Sequence, residues 1–264
     1  MLLFPAIDLR GGRCVRLYQG DFAAETSYAE DPAGVAASFA AAGARWLHVV
    51  DLDAARTGEL TNLAQVAEIV AAAGVPVQYG GGVRSLEAAA RLADAGVARV
   101  VVGTAALENP SLVSEIAAHQ PVALGLDVRG REVAVRGWQA AGGRSFAEVL
   151  ANAPEADAVV VTQISTDGTL EGPDMELLAE TLAATDIPVV ASGGVGTLED
   201  LLGLADLRAG GRALAGAIVG RAIYERTVDL AEALAILAET TATHSARRGG
   251  GGDGPPASTA GGRS

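Results

Sequence analysis

The sequence is poor in cysteine and histidine, and it has fewer basic than acidic residues. Cys14 is the single cysteine among 264 residues, which excludes an intrachain disulfide and a cysteine-based metal cluster. The histidines, His48, His119 and His244, are too scattered to indicate a metal site, and we predict none. With 19 basic and 32 acidic residues the formal net charge is −13, which argues against nucleic acid or an anionic membrane as partner.

Long apolar runs are also missing from the sequence. No uncharged apolar stretch reaches about 18 residues, the length that a membrane-spanning helix needs. The charges of Asp8 and Arg10 come too early for a signal peptide, so we expect a cytoplasmic protein. Half of the residues are apolar, which is ample for a large core.

The sequence does contain a regular alternation of strand and helix patterns. Runs rich in valine, isoleucine or leucine predict buried parallel strands near residues 2–8, 45–51, 75–79, 99–103, 121–127, 157–163, 187–191 and 214–219. Segments with a helical period lie near residues 32–43, 61–73, 85–95, 110–118, 145–151, 175–184, 197–205 and 229–239. Eight such units predict an α/β fold, a TIM (β/α)8 barrel, with a doubly wound sheet as the alternative.

The chain also repeats itself. Residues 6–11, Ala-Ile-Asp-Leu-Arg-Gly, match residues 125–130, Gly-Leu-Asp-Val-Arg-Gly, at an offset of 127 − 8 = 119. An internal repeat of this length in a barrel predicts two half-barrels related by a pseudo-twofold axis. We place them at residues 1–119 and 120–241, which together form one domain.

Two aspartates occupy matching strand ends in the two halves. Asp8 ends the first predicted strand and Asp127 ends the fifth, so both would point into the mouth of the barrel from opposite sides. A single strand-ending aspartate usually caps the next turn, but a repeated pair suits a general acid and a general base. Thr162 ends the sixth strand as Asp51 ends the second; it either orients Asp127 or is simply a β-forming residue.

Glycine turns at repeated positions predict two phosphate sites. Each turn follows a strand and precedes a helix start, where backbone N–H groups bind anions. The residues so predicted, including two from the sixth loop, are Gly81, Gly82, Gly103, Thr104, Asp167, Gly168, Gly193, Gly194, Gly220 and Arg221. Tight turns alone would explain one such loop, but the paired set indicates a small ligand with two anionic ends.

Two loops carry further candidates for substrate binding. Arg16 lies in a predicted hairpin within the first loop, and Trp138 lies at the matching place in the fifth loop, close to Arg136. A tryptophan in a glycine-flanked loop can stack on a flat heterocycle and exclude water. We therefore predict that Arg16, Arg136 and Trp138 contact the substrate.

Together these motifs resemble the phosphoribosyl isomerases of histidine biosynthesis over about residues 1–240. The resemblance rests on residues 5–9, 47–53, 80–84, 103–105, 125–127, 136–138, 167–170 and 192–195. It implies an enzyme without metal or organic cofactor, which performs an Amadori rearrangement on a substrate with a phosphate at each end. It also implies Asp127 as the general acid, Asp8 as the base and Thr162 as the support of Asp127. We expect a monomer.

The sequence departs from the pattern of this family at two places. Gln163 stands where family members commonly carry an aspartate, which leaves Asp167 as the nearby carboxylate. Residues 53–56, Asp-Ala-Ala-Arg, resemble the bifunctional actinobacterial form, which also isomerises phosphoribosylanthranilate in tryptophan biosynthesis. Residues 79–82, Tyr-Gly-Gly-Gly, resemble the single-substrate enzyme instead.

Two further functions compete with the isomerase. The related cyclase carries Cys-Leu-Asp followed by a lysine, where this chain has Ala6-Ile7-Asp8 and Arg10. The other is a non-catalytic phosphosugar-binding barrel, which the retention of both Asp8 and Asp127 argues against.

Residues 242–264 differ in composition from the rest. They include four consecutive glycines and two consecutive prolines without an apolar period, which predicts a disordered low-complexity tail. Removing them is therefore expected to leave the thermal midpoint unchanged, as calorimetry of the full and shortened chains would measure. A clearly lower midpoint for the shortened chain would contradict this prediction.

Overall fold

Strands and helices alternate along the computed structural model, which describes residues 1–18, 21–135, 140–151 and 155–249. The strands are β1 (Leu2–Arg10), β2 (Arg13–Tyr18), β3 (Asp21–Ala29), β4 (Leu47–Asp51), β5 (Val77–Gly80), β6 (Arg99–Val102), β7 (Val122–Arg129), β8 (Glu132–Val135), β9 (Ala140–Ser145), β10 (Ala158–Gln163), β11 (Val189–Ser192), β12 (Arg208–Ala209), β13 (Arg212–Ala213) and β14 (Gly216–Val219). The helices are α1 (Pro32–Ala41), α2 (Leu52–Thr57), α3 (Leu63–Ala73), α4 (Leu86–Asp94), α5 (Thr104–Glu108), α6 (Ser111–Ala117), α7 (Phe146–Ala151), α8 (Met175–Ala184), α9 (Leu198–Asp206), α10 (Arg221–Tyr224) and α11 (Leu230–Gly249).

Eight parallel strands close into a barrel. Their order around the ring is β1, β4, β5, β6, β7, β10, β11 and β14, and β14 pairs again with β1. Each ring strand overlaps one of the predicted strands, and each predicted helix overlaps a helix that follows one of them. The TIM barrel is thus confirmed, and the doubly wound alternative is wrong because the eight parallel strands close into a ring instead of forming an open sheet.

The strand register has the same stagger in both halves of the ring. From Asp8, paired residues lead across four strands to Ala123, which lies four residues before Asp127. From Asp127 they lead across the other strands to Phe4, which lies four residues before Asp8. A total shear of about eight is typical of TIM barrels, and here each half supplies an equal part.

Two apolar layers hold the barrel together. Its interior is filled by Phe4, Ala6, Ala123, Ala158, Val160, Val190 and Ile218. A larger layer lies between the outer faces of the strands and the helices. Helix α3, for example, buries Val66, Ile69 and Ala73, whose spacing by three and four residues places them on one face.

The loops after the first and fifth ring strands carry matching extensions. An antiparallel hairpin, β2 and β3, follows β1, and a second hairpin, β8 and β9, follows β7. Short helices α5 and α10 begin at matching places after β6 and β14. The hairpins and the short helices thus occur at matching places along the ring, although periodicity could not predict helices of five and four residues.

The last helix extends further than the predicted boundary of the tail. Helix α11 ends at Gly249, beyond residue 242, because no glycine or proline interrupts residues 230–248. Residues 250–264 lie outside the described part of the chain. Among the helices that the structure describes, none is long and apolar enough to cross a membrane.

Candidate active site

A cavity of about 640 Å³ opens at the carboxyl ends of the barrel strands. All eight ring strands, or the loops that follow them, contribute residues to its lining. This is the face where TIM barrels place their chemistry. A volume in this range suits a small organic ligand.

Most of the predicted site residues line this cavity. They are Asp8, Gly81, Gly82, Gly103, Thr104, Asp127, Thr162, Asp167, Gly168, Gly193, Gly194, Gly220 and Arg221. The other predicted residues, Arg16, Arg136 and Trp138, lie outside the part of the chain whose side chains the structure describes. Residues that are more than two hundred positions apart in sequence thus meet at one site.

Asp8 and Asp127 face the cavity from opposite sides. Their strands, β1 and β7, are four steps apart around the ring in either direction. Asp8 is buried, with 9% of its surface exposed, and Asp127 is partly exposed. A ligand between them can therefore receive a proton from one carboxyl group and lose one to the other.

Thr162 lies beside Asp127, with which it pairs in the sheet register. The same register pairs Asp8 with Val50 rather than with Asp51, so the predicted equivalence of Thr162 and Asp51 is wrong by one residue. Because side chains alternate across a strand, this shift changes the face. Val50 and Thr162 line the cavity, whereas Asp51 is turned outward.

Asp51 instead holds the wall behind the cavity. Its Oδ1 accepts hydrogen bonds from the Ala54 backbone N–H and from Asn62 Nδ2, both at 2.9 Å. Burial raises the pKa of Asp51, while the hydrogen bonds from Ala54 and Asn62 act in the opposite direction. Burial and the Asp51 charge also raise the pKa of Tyr79. The tyrosine of the 79–82 motif therefore belongs to this wall.

The 53–56 motif anchors the base of the first hairpin. Asp53 Oδ2 accepts a hydrogen bond from the Gly11 backbone N–H at 2.7 Å and another from Asn62 Nδ2 at 3.0 Å. Asn62 Oδ1 accepts from the Gly12 backbone N–H at 3.0 Å. These bonds tie the loop after β4 to the turn that leads into β2.

The glycine turns are sterically required. Gly81, Gly82, Gly193 and Gly194 have φ angles of 105°, 70°, 90° and 87°, in the left-handed region that disfavours residues with a Cβ. A Cβ on Gly81 would also overlap the Asp51 carbonyl oxygen. The backbone of these turns therefore packs directly against the neighbouring loops and stays in place along the cavity.

Capped helix N-termini follow both glycine turns. The Ala88 backbone N–H donates to Ser85 Oγ at the start of α4, at 3.1 Å. At the start of α9, Thr197 and Asp200 form a reciprocal capping box. The positive ends of two helices thus lie next to cavity-lining turns, which favours anions in both halves.

Arg221 connects the sixth and eighth loops. Its Nη1 donates to the Gly168 carbonyl oxygen at 2.6 Å, and its Nε donates to Glu225 Oε1 at 3.2 Å. Hydrogen bonds from Tyr28 and Arg221 lower the pKa of Glu225. The Arg221 guanidinium is thus held in the cavity lining, with part of its positive charge balanced by Glu225.

Gln163 is turned away from the cavity. Its Nε2 donates to Asp174 Oδ2 at 2.9 Å, and the same oxygen lies 3.2 Å from Arg131 Nη1. In the sheet register Gln163 is the counterpart of Asp51, which is also turned outward. The departure from the family pattern therefore lies behind the wall, while Asp167 lines the cavity.

Sequence reasoning missed several residues of the lining. These are His48, Arg56, Arg84, Glu108 and Ser192. Strand alternation could have identified His48, which lies two positions before Val50 on the same face of β4. The repeat could have identified Ser192, at the glycine-loop offset of 112 from Gly80.

Replacing Gly194 by alanine is expected to destabilise the protein. The new Cβ would overlap the Gly172 carbonyl oxygen, and alanine would have to adopt the left-handed φ that Gly194 has, so we expect a loss of about 3 kcal/mol in the free energy of unfolding. Gly211→Ala is the matched control, because its φ is 76° but nothing lies within 4 Å of the new Cβ. Urea unfolding should give about 1 kcal/mol for the control. Equal losses would refute the steric argument.

Comparison with known proteins identifies the family. Residues 2–229 match the family described as histidine biosynthesis protein. A curated relative from Picosynechococcus sp. is 48% identical over 239 residues, which cover 89% of this chain and 92% of the relative. One from Moorella thermoacetica is 47% identical over 244 residues, covering 90% and 99%. Both are named 1-(5-phosphoribosyl)-5-((5-phosphoribosylamino)methylideneamino) imidazole-4-carboxamide isomerase. This chain belongs to the histidine biosynthesis protein family.

Proposed function

We propose that this protein is the aldose–ketose isomerase of histidine biosynthesis that acts on the imidazole carboxamide named for its relatives. The observation that carries the proposal is the pair of aspartates, Asp8 and Asp127, at repeat-related positions across one cavity. The family membership supports the same reaction.

A substrate with two phosphoribosyl groups fits a cavity with two anion-favouring ends. The turns at Gly81 and Gly193 come from opposite halves of the barrel, and each precedes a capped helix. We propose that each half binds one phosphate through backbone N–H groups and the helix end. Arg221 supplies an additional positive charge in the second half.

The chemistry we propose is an Amadori rearrangement driven by acid and base. Asp127 donates a proton to the ring oxygen while the C1–O bond breaks and the nitrogen lone pair forms a C1=N bond. Asp8 then removes the proton from C2, and the electron pair returns through C1 to nitrogen to give an enolamine. C1 gains a proton and the C2 hydroxyl loses one, so C1 is reduced and C2 is oxidised without an external redox partner.

Each residue has a separate task in this sequence. Asp8 must start as a carboxylate and Asp127 as a carboxylic acid, so the pair must hold opposite protonation states. We assign to Thr162, the register partner of Asp127, the task of orienting its carboxyl group. Since a single chain provides every strand around the cavity, we propose a monomer as the active form.

Asp127→Asn is expected to lower kcat by at least about a hundredfold with little change in KM, because the amide keeps the shape but cannot donate the proton. Steady-state kinetics on the aminoaldose would measure both constants. Asp167→Asn is the comparison, because Asp167 lines the same cavity and we assign it to binding. A loss below about tenfold for Asp127→Asn, roughly 1.4 kcal/mol, or a larger kcat loss for Asp167→Asn, would overturn the assignment of the acid.

A two-substrate assay tests the proposed function itself. We expect turnover of the histidine-pathway aminoaldose by the purified protein and no turnover of phosphoribosylanthranilate, since the named relatives are carboxamide isomerases. An Asp8→Asn/Asp127→Asn double variant, purified identically, controls for host isomerase. Turnover of both compounds would establish the bifunctional form. Tight binding without turnover above the double variant would instead indicate a phosphosugar-binding barrel.

A further inference from the structure

Three polar side chains interrupt the apolar interior beneath the cavity. His48, Gln78 and Arg99 lie on the adjacent strands β4, β5 and β6, each paired in register with the next. Arg99 Nε donates to Gln78 Oε1 at 2.8 Å, and Gln78 Nε2 lies 2.9 Å from His48 Nδ1. Gln78 is fully buried, and His48 is 6% exposed. We call these residues the interior relay.

The other half of the barrel does without such a relay. The register counterparts of His48, Gln78 and Arg99 are Val160, Val190 and Gly216. The two valines belong to the apolar interior layer. Since burying polar groups is costly, and apolar residues fill the equivalent positions, closing the barrel does not require the relay.

The relay sets the direction of each hydrogen bond. A guanidinium can only donate, so the amide atom that faces Arg99 must be the Gln78 carbonyl oxygen. The Gln78 amide nitrogen then faces His48 and donates to it. Nδ1 of His48 therefore accepts, and the ring proton lies on Nε2.

Arg99, at the far end of the relay, is itself held in place. Its guanidinium carbon lies 4.9 Å from the ring centroid of Trp46 and 5.8 Å from that of Phe4. Both distances suit cation–π contacts, which stabilise a charged guanidinium at the base of the barrel.

The Nε2 edge of His48 borders the cavity. Both His48 and Gly80 line it. A Cβ on Gly80 would lie 3.6 Å from His48 Cε1 and 3.9 Å from Nε2, so this edge of the ring faces a position without a side chain. His48 also pairs with Ala6, two residues before Asp8 on the inner face of β1. It thus lies one layer below the proposed base.

We propose that Gln78 and Arg99 are positioning residues, which fix His48 as the Nε2–H tautomer so that it donates a hydrogen bond to a sugar oxygen at the cavity floor. The role in turnover rests on the proposed isomerase function. The tautomer itself does not depend on that function. A donor fixed before the substrate arrives needs no reorganisation during the reaction.

The tautomer can be read directly by NMR of protein labelled with ¹⁵N-histidine, with the His48 signals assigned by their loss in His48→Gln. In the wild type we expect an unprotonated Nδ1 and a protonated Nε2. Gln78→Glu keeps the bond to Arg99, but its carboxylate can only accept, so we expect a protonated Nδ1. We expect kcat/KM for the aminoaldose to fall at least about tenfold in this variant.

Two further variants keep the test decisive. Gln78→Leu replaces the amide by an apolar side chain, as at the counterpart position of the other half, and so removes the hydrogen bond to His48. We expect a lower kcat/KM for this variant, which serves as the test if Gln78→Glu folds poorly. Val190→Ala, at the counterpart position, should lower stability but leave the His48 tautomer and kcat/KM near wild type. A wild-type Nδ1–H tautomer, or an unprotonated Nδ1 in Gln78→Glu, would overturn the relay. If Gln78→Glu switches the tautomer but leaves kcat/KM unchanged, the role of the interior relay in turnover is overturned. If the wild type has the expected tautomer but shows no turnover, only the isomerase function is refuted.

Discussion

Closure of the sheet with an equal stagger in each half is the constraint on which the site depends. Following the paired residues from Asp8 around one half of the ring leads to Ala123, four residues before Asp127. Following them from Asp127 around the other half leads to Phe4, four residues before Asp8. The two carboxyl groups therefore come from opposite strands yet belong to one cavity. Without closure, the residues that line β1 and β14 would stand at the two edges of an open sheet.

Strand alternation then divides the polar residues between cavity and wall. Val50 and Thr162 face inward, and their neighbours Asp51 and Gln163 face outward. There Asp51 accepts a hydrogen bond from Ala54 in α2, and Gln163 donates one to Asp174, the residue that precedes α8. Hence an aspartate beside the cavity can have a purely structural role. The glycine turns complete the wall, since their backbones lie too close to neighbouring carbonyl groups to accept a Cβ.

The two halves match in backbone and differ in side chains. Matching strands, hairpins, glycine turns and short helices give a doubled frame. In the interior beneath that frame, the first half carries the interior relay beside apolar residues such as Phe4 and Ala6, whereas Val160, Val190 and Gly216 stand at the relay's counterpart positions in the second half. An isomerisation needs one acid and one base. A symmetric frame is therefore useful only when different side chains surround the two carboxyl groups.

The sequence by itself determined the eight strand–helix units of the ring, the positions of the two aspartates at strand ends and the glycine turns. These depend on periodicity, internal repetition and backbone sterics, which are properties of short segments. Tertiary structure decided the rest. The counterpart of Thr162 had to be Val50, because register is set by pairing across the ring and a shift of one residue reverses the face. The contacts from Arg99 through Gln78 to His48 join residues up to 51 positions apart, which only strand pairing brings together.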